Sequence, residues 1–157
     1  MSDIFYKFNN FEWNGIKKID YKPADGEGPV TFNETTRQNL VGNGKDTAFH
    51  VRYFESAKGG FSTLEKHKHV HVVIIARGSG KVIVNDQIFN AKPMDLFVIP
   101  SYAPHQLINV GDEPFGFFCT VDAVRDKFVL LSKEEIAHLK SNPEIAKYIQ
   151  VPDRYFD

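Results

Sequence analysis

From Ala48 to Asp122 the chain alternates short apolar-rich runs with turn residues. These are AFHVRYFE, a GG pair, a histidine-rich run into VVIIA, RGSG, KVIVNDQIF, a Pro-led turn, DLFVIP, a second Pro turn, HQLINV, GDEP and FGFFCTV. Runs of this length, rich in β-branched and aromatic residues and closed by Gly or Pro, are strand signals. Six of them at close, regular spacing predict an all-β sandwich or barrel over 46–122. Residues 1–45 lack sustained periodicity and mix aromatics with Gly, Pro, Asn and Asp, as in YKPADGEGP. They predict an irregular arm with one or two edge strands packing on the barrel. The tail, 123–157, changes period. Ser132 and Glu135 have capping-box spacing ahead of Ile136 and Leu139, and Asn142 with Pro143 opens a second start carrying Ile145 and Ile149 four apart. Two short amphipathic helices are therefore expected there, lying against the barrel or a partner subunit.

Composition narrows the classes. A chain of 157 residues makes one domain, and fourteen Phe with six Tyr suit a well-filled β interior. Nineteen basic against twenty acidic residues leave no basic excess for phosphate backbones, which argues against a nucleic-acid partner. No apolar run approaches the roughly 20 residues that span a bilayer, so no membrane partner is expected. The start, MSDIFYKFNN, has no basic stretch leading into an apolar core, and Cys119 is the single cysteine. Both fit a cytoplasmic protein without a disulfide.

The candidate chemistry sits in LEKHKHVHVVIIARGSG, where Glu65, His67, His69 and His71 occupy alternate positions. In an extended strand such residues point to one face, which would align four potential metal ligands. A half-buried histidine face without a metal is the plainer reading, but three of the chain's six histidines fall within five residues. Imidazole with carboxylate suits a divalent transition metal (Fe, Mn, Ni, Co or Zn) better than Ca or Mg. Downstream, in PMDLFVIPSYAPHQLINVGDEP, His105 opens a strand after a Pro-containing turn, and an antiparallel sheet brings it within reach of the first cluster.

Together these segments resemble the cupin superfamily, in particular its small single-domain members with a jelly-roll β-barrel. The resemblance covers roughly residues 48–122. Its second motif is matched by Pro93, Asp95, Pro100, His105 and Asn109. In the first motif, starting the ligand pair at His67 and His69 would put Val73, which cannot bind a metal, at the third position. Counting back from Gly78, the closing glycine of the pattern, puts the pair at Glu65 and His67 and the third ligand at His71. The resemblance thus implies one divalent metal on Glu65, His67, His71 and His105, with Glu and His exchanged relative to the commonest arrangement. His69 is then an outer contact, a substrate contact or a replacement for Glu65.

Four protein ligands leave an octahedral metal two open positions, as a catalytic site requires. The expected function is a metal-dependent enzyme of dioxygenase, isomerase or lyase type acting on a small oxygen-rich molecule, with His69 or Tyr102 moving protons. The alternative is a non-catalytic module that binds a small ligand or metal. Of the adjacent pair Arg52 and Tyr53 only one faces inward, and an inward Arg52 would favour an anionic substrate. His50 shares the face of Arg52, Cys119 is expected in a barrel-lining strand, His138 reads as surface, and Trp13 as core or lid. Small barrels expose sheet edges, and a homodimer is expected to cover one.

Overall fold

The computed structural model describes residues 4–21, 31–42 and 46–156. Its strands are β1 (Phe8–Asn9), β2 (Glu12–Trp13), β3 (Lys18–Asp20), β4 (Asn33–Val41), β5 (Phe49–Phe61), β6 (Glu65–Lys66) and β7 (His71–Arg77). They continue with β8 (Gly80–Val84), β9 (Gln87–Ala91), β10 (Leu96–Ile99), β11 (His105–Ile108), β12 (Phe115–Asp122) and β13 (Val129–Leu130). Helices α1 (Lys133–Lys140) and α2 (Pro143–Tyr148) follow. One wall runs β3-β4-β5-β12-β7-β10, with every pair antiparallel. The other runs β9-β8-β11, with β6 and β13 extending it beyond His105. The far end of β5 reaches across, Phe61 pairing with Ile108, so the walls belong to one curled sheet. The all-β barrel expected from strand spacing is therefore present.

Two runs fold differently from their simplest reading. The GG pair after AFHVRYFE does not end a strand, because β5 continues through Gly59 and Gly60 to Phe61. Gly59 has φ +76°, and a Cβ on Gly60 would lie 2.8 Å from the carbonyl oxygens of Ala57 and Glu34. The pair thus bends β5 from one wall to the other where a side chain would not fit. Conversely, KVIVNDQIF is a hairpin, β8 and β9, turning at Asn85, whose φ of +54° an asparagine tolerates.

The N-terminal segment contributes more sheet than its irregular pattern suggests; residues 1–3, 22–30 and 43–45 of it lie outside the described residues. β4 runs nine residues along β5. Its buried positions are polar and held by hydrogen bonds: Thr35 Oγ1 lies 2.8 Å from Ser56 Oγ on the inner face, and on the outer face Gln38 Nε2 donates to Phe11 O at 2.8 Å. A strand buried in this way carries no apolar alternation to read. The β1–β2 hairpin caps the outer surface with Trp13, whose ring centroid lies 5.3 Å from Tyr53 and 5.9 Å from Phe118.

Alternation along β8 and β11 divides the buried residues into two cores. Val82 and Leu107 point into the barrel with Phe54, Val73, Ile75, Phe115 and Phe117. Their neighbours Ile83 and Ile108 point outward, where Ile136, Leu139, Ile145 and Ile149 of the tail cover them. All four residues of β11 are consequently buried. Both tail helices begin as the sequence predicts, α1 with the complete Ser132/Glu135 capping box and α2 with Asn142 capping Glu144 N. Each buried aliphatic side chain of the tail contributes about 1.5–3 kcal/mol. Tyr155 locks the assembly: its phenol accepts from Leu131 N at 2.9 Å and donates to Leu64 O, and burial pushes its pKa up to about 12. No helix among the described residues is long and apolar enough to cross a membrane.

Candidate metal centre

Glu65, His67, His69 and His71 do not share one continuous strand face, because β6 stops at Lys66 and β7 starts at His71. What breaks the strand is a set of substitute partners for its backbone. Asp126, in the loop after β12, accepts from Lys68 N at 2.6 Å, from His69 N at 2.9 Å and from His69 Nδ1 at 2.7 Å. The His67 ring closes the turn on itself through Nδ1, 2.8 Å from His69 O, and Tyr102 N donates to His67 O at 2.7 Å. The turn carries His69 out of the ligand row. Its ring stacks flat on that of His67, with centroids 3.7 Å apart and planes 2° from parallel.

With His69 displaced, His67 and His71 from one segment and His105 from the facing strand converge. One ligand nitrogen from each lies within 4.8 Å of the other two. Their rings stand at 64° to 80° to one another, so they face a common point from three sides. The second sequence motif supplies the placement of His105. Asp95 accepts from Lys92 N at 3.0 Å to close one turn, and Ala103 N bonds Pro100 O to close the next. Asn109 braces the strand's exit, donating to Ser56 O and Glu113 O and accepting from Gly111 N.

The donor set fits a transition metal on grounds internal to the fold. The Nδ1–H of His67 is given to His69 O and that of His105 to Ala103 O at 2.9 Å, which leaves the lone pair of each ring on Nε2. Fixing the tautomer through a backbone carbonyl is how metal-binding imidazoles are oriented. His67 Nε2 and His71 Nδ1 are both buried with no partner among the described residues. An unmet buried polar atom costs about 1–3 kcal/mol. Burial, reinforced by His105, holds the pKa of His67 down to about 4, and burial with His105 and Arg52 pushes that of His71 well below its usual range. Both rings are thus neutral at pH 7, the form that ligates.

Glu65 is buried and directly opposite His105 in the β6–β11 pair, but it lies outside the group of three converging imidazoles. Tyr102 sits in the turn at φ +59° with its side chain 55% exposed. Of the adjacent pair on β5, Arg52 faces inward and Tyr53 outward, into the aromatic cluster under Trp13. His138 is exposed on α1.

Cys119 on β12 adjoins the cluster. Its sulfur contacts His71 Nε2 and accepts from Arg52 Nη2 at 3.3 Å. Burial raises its pKa, and the Arg52 charge works against that rise. Asp126, Arg37 and Arg125 were not singled out by the sequence. They come to the site only through pairing and loop return over long separations, and no local pattern marks them.

A family profile described as the cupin domain matches residues 52–121. The 1-methylthio-D-xylulose 5-phosphate methylsulfurylase of Rhodospirillum rubrum is 36% identical over 141 residues, covering 90% of this chain and 88% of that protein. A crystal structure of a cupin-2 domain protein from Rhodospirillum rubrum superposes with a TM-score of 0.79 at 36% identity, covering 90% of this chain and 93% of the other. A cupin 2 conserved barrel domain protein from Rhodopseudomonas palustris superposes with a TM-score of 0.78, also at 36% identity, covering 87% and 92%.

Proposed function

This chain belongs to the cupin family, and from that premise we propose that it is a metal-dependent enzyme acting on a small, oxygen-rich organic molecule. One observation carries the reading: three imidazoles converge within 4.8 Å while two of their buried nitrogens have no partner among the described residues. In the proposal His67, His71 and His105 hold one divalent transition metal, and Glu65, across from His105, supplies a fourth ligand. Such a metal supplies Lewis acidity toward carbonyl and hydroxyl oxygens. His69, held by Asp126, stacks on His67 and keeps it oriented, and Tyr102 borders the site from its turn. In the proposal the sulfur of Cys119 accepts from His71 Nε2–H, which leaves the His71 Nδ1 lone pair for the metal, and it also accepts from Arg52 Nη2.

The similarity to the methylsulfurylase supports a sulfur-bearing ketose phosphate as the substrate, over a dioxygenase reaction on an unphosphorylated diol. A cysteine beside the metal ligands and an arginine on that cysteine are the features of this chain that suit such a molecule. The proposal includes a homodimer. β10 pairs only with β7 among the described residues, and the exposed Ile74, Met94, Leu96 and Val98 offer a second copy an apolar edge.

The test is metal analysis of protein purified without chelator, followed by consumption of 1-methylthio-D-xylulose 5-phosphate. About one equivalent of metal and turnover lost in His105→Ala support the reading. Protein that takes up no Fe, Mn, Co, Ni or Zn on reconstitution overturns it. Sedimentation as a monomer at micromolar concentration rejects the dimer.

A further inference from the structure

The barrel wall beside the histidines gathers three arginines that form no ion pair among the described residues. Arg52 on β5 points inward, with its Nη2 on the Cys119 sulfur. Asn39 of β4 lies opposite Arg52 and Arg37 lies opposite Phe54, so Arg37 is the diagonal neighbour of Arg52 on the same face. Arg125, from the loop after β12, reaches the same region and donates to His50 Nδ1 at 3.1 Å and to the carbonyls of Asp122 and Ala123. His50 is two residues before Arg52 on the inward face of β5, so the three guanidiniums gather on one part of the inner barrel face.

Among the described residues no salt bridge joins Arg37, Arg52 or Arg125 to a carboxylate, whereas Arg77, on the outer face, pairs with Glu55 at 3.1 Å. The Nε atoms of Arg37 and of Arg52 are both buried with no hydrogen-bond partner. Like charges gathered on one wall, with buried donors unmet, are destabilising unless an anion completes them. The arginines also depress one another's pKa: burial lowers Arg37 and Arg125, and the Arg52 charge lowers both further. The ordinary fate of such a cluster is a carboxylate from the same chain; the exposed Asp122 acts on Arg125, and the buried Glu65 acts on Cys119 and Tyr21 without an ion pair to any of the three arginines among the described residues.

We propose that Arg37, Arg52 and Arg125 form the subsite for the phosphoryl group of an organic phosphate monoester, on the barrel wall adjoining the three-histidine cluster. A phosphoryl group offers three terminal oxygens and close to two negative charges, matching three forked donors better than the two oxygens and single charge of a carboxylate. The path Arg52–Cys119–His71 joins the subsite to the cluster through consecutive side-chain contacts, so a molecule anchored by its phosphate lies with its remaining carbons toward the histidines. The inference rests on the proposed function only for the role of that second end.

The test titrates inorganic phosphate into metal-stripped protein by calorimetry at constant ionic strength, with succinate as the dicarboxylate comparison. Wild type is expected to bind phosphate in preference to succinate. Arg37→Met and Arg52→Met should each weaken phosphate by at least about tenfold, the loss of one charge-assisted pair. Arg37→Lys should fall between, and Arg77→Met should leave affinity unchanged. Without phosphate, Arg37→Met should melt at or above the wild-type temperature, because it relieves repulsion, a result that a purely structural arginine would not give. Wild type that shows no phosphate binding, or that prefers succinate, overturns the subsite. So do folded Arg37 and Arg52 variants of undiminished affinity. Since no metal is present, failure of the catalytic reading would appear in the metal analysis and leave this titration standing.

Discussion

On the outer side of β11, Gln106 donates to the carbonyls of Ser62 and Gln150 and accepts from Gln150 N, and Ile108 lies under the aliphatic face of the tail. On the inner side, one residue away, His105 joins two imidazoles that each keep one buried nitrogen without a partner among the described residues, and beyond them stand arginines that form no ion pair among those residues. The outer side is complete in itself, with hydrogen bonds closed and apolar surface covered. The inner side keeps polar atoms unpartnered among the described residues. The difference teaches where selection for stability ends and selection for chemistry begins, since unmet buried polar groups persist only where the surrounding fold can carry their cost.

The comparison breaks if the two sides fail to separate under mutation. The largest effect belongs to the inner side: His71→Ala or His105→Ala should weaken metal binding by about 100-fold or more. Structural zinc sites gain about 10–16 kcal/mol over four ligands, or roughly 3 kcal/mol each. Metal analysis after dialysis checks this, and the metal-free variants should unfold no earlier than metal-free wild type. On the outer side Leu139→Ala should cost about 2–3 kcal/mol in urea unfolding while metal occupancy of the folded protein stays unchanged. Tyr155→Phe, which leaves Leu131 N and Leu64 O unmet, should cost about 1–2 kcal/mol by the same measurement.

A smaller effect sharpens the boundary. Asp126→Asn should loosen the turn that stacks His69 on His67 and lower metal affinity by about tenfold, the range of second-layer changes. Competition with a chelator reads it, and unfolding of the metal-free protein should barely move. The smallest effect is a pH dependence on the outer side. The Glu135 pKa is lowered, first by the hydrogen bond from Lys66 and then by Ser132 N. A depressed carboxyl adds stability above its unfolded pKa and loses it as pH falls through the folded one. Acid unfolding should therefore be shallower in Glu135→Gln, by no more than a few tenths of a kcal/mol for so exposed a pair.

The parts of this fold legible in the sequence are those whose physics is local. Both tail helices announce themselves through Ser132, Glu135, Asn142 and Pro143, because caps act within one turn of backbone. Short apolar runs between turn residues mark the barrel strands. β4 was less legible, because Thr35 and Gln38 are buried by hydrogen bonds to distant groups. The histidine cluster was visible, and His67, His71 and His105 do meet. The departure of His69 from their row depends on Asp126, nearly sixty residues away, which strand alternation cannot anticipate. The inward Arg52 was an open alternative, but its convergence with Arg37 and Arg125 is a property of register and loop return.

The burial of β11 on both faces also bears on how this chain can change over evolutionary time. Its four residues alternate between seating the tail and serving the histidine cluster, so an insertion or deletion of one residue there exchanges the two sets. Ile108 would be thrown toward the histidine cluster and His105 into the aliphatic face of the helices. Around β11, length variation is therefore expected in the hairpin at Asn85–Asp86 and the loop between Val110 and Pro114 rather than in the strand itself. Relatives of this chain should differ in length at those two places long before they differ between His105 and Asn109.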